Sequence, residues 1–227
     1  MKSRQASKKK GLENLRPEEF DTHVRNNTLR LAFVGMSNVG KSFRARTLQS
    51  AGFFWYQVDD EIQKELQFSD MSELSSWLGY PNSSTYAERE RRYLELEAKY
   101  TKAAATKVYD QNLIFDTTGS VIHLDQGTLE ALREHTLLVH LEADETQKEA
   151  LIEKFFKEPK PVAWSGYFTI RKEESVDQAL RRSYPNLLHA RLKKYRDLAH
   201  LTIPAAAFYD TDAKTTLSII RTHLANI

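Results

Sequence analysis

Short apolar runs alternate with stretches of helical periodicity along this chain. The first run, residues 29–34, is mostly apolar and ends at Gly35, as expected for a strand buried on both faces. Runs of the same kind cover residues 53–58, 113–115, 137–141 and 201–203. Because a helical pattern follows each run, the alternation predicts a parallel α/β sheet flanked by helices.

The longest helical pattern covers residues 86–107, between the second and third apolar runs. Most of its positions are charged, so it is expected to bury only a narrow stripe. The expected core contacts on this stripe are Tyr86, Tyr93, Leu94 and Leu96.

The ends of the pattern set the expected domain boundaries. Five of the first eleven residues are Lys or Arg, which predicts a disordered basic tail, and a short helix is expected from Pro17 to about Asn27. Residues 1–28 are therefore expected to precede a single domain of residues 29–227.

Two later segments interrupt the helical pattern. Residues 149–171 lose their period and carry lysines around Pro159 and Pro161, so we interpret about 150–175 as a mobile basic lid. Ser175 and Gln178 have capping-box spacing, and a further helix is expected to begin after Pro185.

Composition narrows the classes of function. The 227 residues are 41% hydrophobic and 28% charged, with a net charge of +2, which fits one globular core without a general affinity for nucleic acid. The absence of cysteine excludes disulfides, thiolate zinc sites and a cysteine nucleophile. No apolar run is long enough to span a membrane, which predicts a cytoplasmic protein without a membrane partner. We also expect a monomer without a nucleic-acid partner.

A phosphate-binding motif follows the first apolar run. Residues 35–42 fit GxxxxGK[ST] between a predicted buried strand and a predicted helix, which is the context this motif requires. The backbone N–H groups of such a loop surround an anion, Lys41 reaches the β- and γ-phosphates, and Ser42 ligates Mg²⁺. The expected ATP-binding residues are Gly35, Met36, Ser37, Asn38, Val39, Gly40, Lys41, Ser42 and Phe43.

A GTP-binding switch protein is the alternative nucleotide-binding class. Residues 116–119 fit its DxxG pattern, but no [NT]KxD string for reading guanine follows Gly119. The separation from Lys41 to Asp116 is also long for that fold. ATP is therefore the expected nucleotide.

The phosphate loop and four further segments together resemble shikimate kinase over about residues 29–225. These segments, in chain order, are FFWYQVDDEI (53–62), LIFDTTGSVI (113–122), KPV (160–162) and RLKKYRDLA (191–199). The resemblance implies a P-loop, nucleoside-monophosphate-kinase-like fold with a five-stranded parallel sheet in the order 2-3-1-4-5. It also implies transfer of the ATP γ-phosphate to a hydroxyl of a small molecule such as shikimate, with Mg²⁺ as a cofactor and helices in about residues 60–110 binding the acceptor.

The resemblance assigns two carboxylates. Asp59 aligns with the family's substrate-contacting aspartate, and a carboxylate just after a strand is well placed to orient or deprotonate a hydroxyl. The partner aspartate of that family motif is replaced by Gln57. Asp116 ends a buried run as a Walker-B carboxylate does, so Ser42 and Asp116 are the expected Mg²⁺ residues. As an alternative, Asp59 and Asp60 are simply acids at a helix start.

The resemblance also assigns the acceptor and lid residues. Thr118, Gly119 and Ser120 align with a glycine triplet of the family, so only one glycine remains. The family's Phe-Arg-x-x-Glu motif resembles residues 86–90. Ala87 occupies the position of its arginine, and Arg89 or Arg92 is the expected substitute. Arg191 matches the carboxylate-binding arginine, and Lys160 is the expected catalytic lid cation.

These departures leave two other functions open. One is a kinase of the same fold for another polyol or metabolite, and the other is a nucleotide-binding regulator without turnover.

Overall fold

The structure is a computed structural model that describes residues 15–157 and 161–226. Its five strands form one parallel sheet in the order β2-β3-β1-β4-β5, which confirms the predicted fold class and strand order. The strands are β1 (Arg30–Val34), β2 (Phe54–Gln57), β3 (Leu113–Asp116), β4 (Leu137–Glu142) and β5 (Leu201–Pro204).

Helices connect the strands. They are α1 (Pro17–Arg25), α2 (Lys41–Gln49), α3 (Val58–Leu66), α4 (Met71–Leu78), α5 (Tyr86–Thr106), α6 (Gln126–His135), α7 (Glu145–Lys157), α8 (Val176–Leu198) and α9 (Ala213–Leu224), with 3-10 turns at Val121–His123 and Ala205–Phe208. Within the described residues, no helix is long and apolar enough to cross a membrane.

The central strands are buried on both faces, as their continuous apolar sequences require. Every residue of β3 is buried, as are the last four residues of β1 and the first five of β4. Strand register aligns the ends of three strands, because Asp116 pairs with Phe33 of β1 and with Gln57 of β2. The residues that follow these strands therefore lie at one edge of the sheet, where ligands bind in open α/β folds.

Helix α5 has the expected apolar stripe. Tyr86, Tyr93 and Leu96 are buried and Leu94 is partly buried against the core. The same helix also buries Glu97, which no apolar pattern identifies.

Two expectations about the later helices are wrong. The stretch expected to lack a period after residue 149 begins as α7, whose Phe155 ring stacks on Tyr184 at 4.0 Å. Helix α8 continues through Pro185 instead of starting after it. Buried residues on both sides of the proline, including Tyr184 and Leu188, hold the two halves against the core, and this packing outweighs one missing hydrogen bond.

Candidate active site

The phosphate loop (residues 35–42) joins β1 to α2 and requires glycine at both ends. Gly35 has φ +146°, and a Cβ there would lie 2.8 Å from the carbonyl oxygen of Leu141. Gly40 has φ +109° and caps the N-terminus of α2 in a left-handed conformation. The loop therefore brings the start of α2, with its free N–H groups, directly after the buried strand β1.

Lys41 and Ser42 occupy the first turn of α2. Lys41 is buried, and its Nζ donates to the carbonyl oxygens of Gly35 at 2.9 Å and Met36 at 3.0 Å. Its ammonium group thus lies over the loop that would hold phosphates. Ser42 and Phe43 are exposed beside it.

A cavity of about 420 Å³ adjoins the phosphate loop. Its wall includes Asn38 and Gly40 of the loop, Phe43 of α2, and Tyr209 and Asp210 after the last 3-10 turn. Arg44 also lines the cavity, and it fixes α2 to the segment after the 3-10 turn because its Nη1 donates to the Thr211 carbonyl at 2.8 Å and hydroxyl at 2.7 Å. The cavity has the position and size to take the nucleoside part of a nucleotide.

The expected magnesium residues suit Mg²⁺ in chemistry. Asp116 is buried at the end of β3, and Ser42 is in the first turn of α2, so both offer hard oxygen ligands beside the phosphate loop. Among the described residues, no group of three His, Asp or Glu side chains could hold a metal alone. Mg²⁺ is usually held by one or two protein oxygens together with substrate phosphates.

A buried polar cluster lies between α5 and the segment after β3. Glu97 is fully buried, and its two carboxyl oxygens are hydrogen bonded to the hydroxyls of Thr118 and, at 2.6 Å, Ser120. The two hydroxyls are also 3.0 Å from each other. We call these three residues the Glu97 cluster.

The Glu97 carboxyl has an unusual acidity. Burial raises its pKa from 4.5 to about 7, against the opposing effects of the hydrogen bonds from Ser120 and Thr118. The nearby charge of Asp59 also raises the pKa, and that of Arg191 lowers it. A shifted carboxyl beside a phosphate loop is a frequent mark of a functional site.

Asp59 adjoins the Glu97 cluster through Tyr93. The Tyr93 hydroxyl donates to Oδ1 of Asp59 at 3.2 Å, and Asp59 is only partly buried in the first turn of α3. Gln57, in the place of the family's other aspartate, donates instead to Asp60 at 2.7 Å. The helix-start interpretation of Asp59 and Asp60 therefore describes their position, and Asp59 also accepts a hydrogen bond from Tyr93, next to the buried cluster.

Arg191 links two segments of the chain that are distant in sequence. Its side chain is buried, its Nη2 donates to the Ala163 carbonyl at 2.6 Å, and its Nε donates to Nε2 of His123 at 3.3 Å. Burial and the Arg191 charge lower the pKa of His123 to about 3, so this imidazole is neutral and accepts the bond. A Cβ on Gly119 would lie 3.0 Å from Ser37 Oγ and 3.5 Å from Arg191 Nη1.

The described part of the expected lid packs against the site. Val162, Ala163 and Trp164 are buried, and the Tyr86 hydroxyl contacts the Val162 carbonyl at 3.0 Å and the Trp164 N–H at 2.8 Å. Glu90 accepts from the N–H of Ser165 at 2.8 Å. Lys160, the expected lid cation, lies outside the described residues.

The structure separates two candidate motifs on α5. The Tyr-x-x-x-Glu spacing that identified residues 86–90 occurs again from Tyr93 to Glu97. The first pair contacts residues 162–165, whereas the second contacts Asp59, Thr118 and Ser120. Sequence reasoning missed Glu97, although this repeated spacing was the signal that could have found it.

Arg89 and Arg92 contact other parts of the chain. Arg89 donates to the Trp77 carbonyl at 2.6 Å, and Arg92 lies 3.7 Å from Glu65 at the surface. These contacts differ from the pocket position expected of them.

No protein-family model and no curated protein matches the chain. Shikimate kinase from Acinetobacter baumannii, solved in complex with shikimate, is similar in structure: 18% identity, TM-score 0.60, covering 91% of this chain and 98% of its own. Shikimate kinase from Bacteroides thetaiotaomicron gives 15% identity, TM-score 0.58 and coverage of 86% and 97%. Shikimate kinase from Aquifex aeolicus gives 17%, 0.53, and 87% and 97%. The chain therefore has the P-loop fold of these kinases.

Proposed function

We propose that this protein is an ATP-dependent kinase that transfers the γ-phosphate to a hydroxyl of a small polyhydroxylated acid, with shikimate as the first acceptor to test. One observation carries the proposal: Gly119 lies between Ser37 of the phosphate loop and Arg191. A methyl group placed on Gly119 would contact both side chains, at 3.0 Å from Ser37 Oγ and 3.5 Å from Arg191 Nη1. A phosphate held by the loop would therefore adjoin the Glu97 cluster and Arg191, as phosphoryl transfer requires.

The residues then have distinct roles. The phosphate loop and Lys41 bind the phosphates, and Asp59 orients the acceptor hydroxyl and takes its proton. Mg²⁺, when bound through Ser42 and Asp116, would neutralise phosphate charge. Arg191 supplies positive charge for an anionic acceptor, and residues 161–165 exclude water over the site. Lys160 remains a proposed lid cation.

The acceptor pocket favours a compound that differs from shikimate in some contacts. The side chains of Thr118 and Ser120 stand where the family has bare glycine backbone, and they bond to Glu97. A kinase for another polyhydroxylated acid is therefore the second candidate. An acceptor panel should contain such acids of different ring and chain shape.

Coupled ADP production with Mg-ATP tests the proposal, first with shikimate and then with the panel. Lys41→Ala and Asp59→Asn are each expected to lower turnover by at least 100-fold. Matched controls are the exposed residues Lys102 and Asp110, as Lys102→Ala and Asp110→Asn, which should keep wild-type turnover. ATP binding without turnover on any compound would overturn the kinase proposal in favour of a nucleotide-binding regulator.

A further inference from the structure

The Glu97 cluster contains three hydrogen-bonded pairs. Thr118 contacts one carboxyl oxygen, Ser120 contacts the other, and the two hydroxyls contact each other at 3.0 Å. Each contact needs one proton between its two oxygens. The two hydroxyls supply two protons, so all three contacts are hydrogen bonds only when the carboxyl supplies a third.

A neutral Glu97 satisfies all three contacts in one direction. Its protonated oxygen donates to Thr118, Thr118 donates to Ser120, and Ser120 donates to the other carboxyl oxygen. An ionised Glu97 accepts from both hydroxyls. The Thr118 oxygen then accepts only from the N–H of Ser120 at 3.1 Å, and no proton lies between the Thr118 and Ser120 hydroxyl oxygens. Full burial of the carboxyl further disfavours the charged form.

We propose that Glu97 is protonated in the folded protein at mildly acidic pH and in part at pH 7, closing this ring of hydrogen bonds, and that it is thereby a positioning residue that keeps the acceptor pocket selective for anionic compounds. The second part rests on the proposed function. A neutral Glu97 leaves the positive charge of Arg191 available to an anionic acceptor, whereas an ionised Glu97 opposes that charge and repels the acceptor.

Titratable groups from three helices face this carboxyl. Asp59 of α3 favours the neutral form and Arg191 of α8 favours the ionised form. Tyr93 of α5 and Tyr195 of α8 also interact with Glu97, and burial raises the pKa of both phenols, so both are neutral near pH 7. His123, which faces Arg191 from the 3-10 turn, is neutral too. Burial raises the Glu97 pKa to about 7, in agreement with the ring.

The first test needs no substrate. A glutamine at position 97 can donate with its amide and accept with its carbonyl, so Glu97→Gln reproduces the neutral ring. The infrared difference spectrum between wild type and Glu97→Gln at pH 6 should contain the C=O stretch of a protonated carboxyl, which should disappear by pH 8.5. Thr118→Val keeps Glu97 but removes the hydroxyl that accepts its proton, so the band should shift in that variant. The exposed neighbour Glu95, as Glu95→Gln, should give no such band.

Unfolding provides a second readout. Because the folded pKa is raised, the folded state holds the proton more tightly, and wild-type stability is expected to fall between about pH 4.5 and pH 7 relative to Glu97→Gln. Denaturant unfolding of both proteins from pH 5 to pH 8.5 measures this difference. A constant difference, together with no protonated carboxyl band at pH 6, would overturn the proposed protonation.

Acceptor kinetics test the positioning role. If only the protonated form binds the acceptor, the wild-type KM for the acceptor found by ADP production should rise about fivefold from pH 7 to pH 8, while Glu97→Gln shows no such rise. The same rise in both proteins would overturn the role of Glu97 in selectivity. Absence of turnover on every compound would overturn that role together with the kinase function, while the infrared and unfolding results would still decide the protonation.

Discussion

His140 is a buried histidine directly behind the phosphate loop. It lies on β4, its ring stacks on Tyr195 with centroids 5.4 Å apart, and neither ring nitrogen has a hydrogen-bond partner among the described residues. Burial, with the charges of Arg196 and Lys41, lowers its pKa from 6.5 to about 4. The neutral form is therefore the one that the folded core accommodates.

This histidine is expected to make the protein sensitive to acid. Since the folded pKa is depressed, the unfolded chain takes up the proton first, and stability is lost as pH falls from about 6.5 towards 4. The loss between pH 7.5 and pH 4.5 should be about 2.5 kcal/mol from this residue alone. Denaturant unfolding at both pH values measures it, and His140→Phe should remove this share of the loss.

The control for His140 is His189, which is exposed on α8. His189→Phe should keep the wild-type change of stability with pH. Comparing changes with pH, and not stabilities at one pH, cancels any packing cost of the substitution itself. Equal pH dependence in wild type and His140→Phe would contradict the expectation.

The substitution Gly119→Ala tests how closely the phosphate loop must approach Arg191. In Gly119→Ala the new methyl group would lie 3.0 Å from Ser37 Oγ and 3.5 Å from Arg191 Nη1, so Ser37 must move. We expect near wild-type stability and a KM for ATP raised about three- to tenfold, corresponding to about 1 kcal/mol of crowding. Steady-state kinetics measure the change.

Gly127 provides the comparison for Gly119. It is exposed in the first turn of α6, and a Cβ there makes an ordinary contact of 3.4 Å with Asp125. Gly127→Ala should leave kinetics unchanged and stabilise the helix by up to about 1 kcal/mol. An unchanged KM for ATP in Gly119→Ala would show that the loop tolerates a wider gap.

At the level of elements, α5 holds the segment of residues 162–165, which we propose covers the site. The Tyr86 hydroxyl satisfies the N–H of Trp164 and contacts the carbonyl of Val162. Tyr86→Phe leaves buried backbone groups without this partner, at a cost of about 1–3 kcal/mol. Residues 161–168 should then open more often, and hydrogen exchange of the Trp164 amide should quicken at least fivefold.

Tyr100 on the same helix is the matched control. Its hydroxyl bonds to Glu65 at the surface, so Tyr100→Phe should leave the exchange of Trp164 unchanged. Faster exchange throughout α5 in Tyr86→Phe would indicate general loosening instead of release of this segment.

Sequence patterns predicted the elements whose signals are local. Five short apolar runs correspond to the five strands, and a glycine-rich motif between a strand and a helix marks the phosphate loop. Tertiary packing determines the elements that the sequence pattern did not predict. Helices α7 and α8 are fixed by aromatic contacts among Phe155, Trp164 and Tyr184, which join residues distant in sequence and leave no periodic trace.

The sequence likewise predicted only some residues of the candidate site. Asp59, Asp116 and Arg191 follow from position relative to strands or from resemblance. Glu97 is harder to identify, because a glutamate in a helix of many charges resembles solvated neighbours such as Glu95, and before α5 is packed on the sheet only the repeated Tyr-x-x-x-Glu spacing sets it apart. Its partners Thr118 and Ser120 stand out in the sequence because they replace glycines, but their hydrogen bonds to Glu97 are visible only in the structure.

At the scale of the whole molecule, nucleotide binding should raise the free energy of unfolding. The phosphate loop connects the central strand β1 to α2, so a ligand held there binds the folded chain and not the unfolded one. At a Mg-ADP concentration 100 times its Kd, the stabilisation is about 2.7 kcal/mol, which for a chain of this size raises the melting temperature by about 5–10 °C. Thermal unfolding with and without Mg-ADP measures it, and Lys41→Ala should abolish most of the shift.

The proposed role of Ser42 as a Mg²⁺ ligand can be tested with the same thermal shift. If its hydroxyl ligates Mg²⁺ together with the phosphates, EDTA should reduce the ADP-induced shift in wild type, and Ser42→Ala should show nearly the same small shift with or without Mg²⁺. Ser50 at the other end of α2 bonds to the Thr47 carbonyl, so Ser50→Ala should behave as wild type. A full magnesium effect in Ser42→Ala would remove Ser42 from the proposed metal site and leave Asp116 as the protein ligand to test.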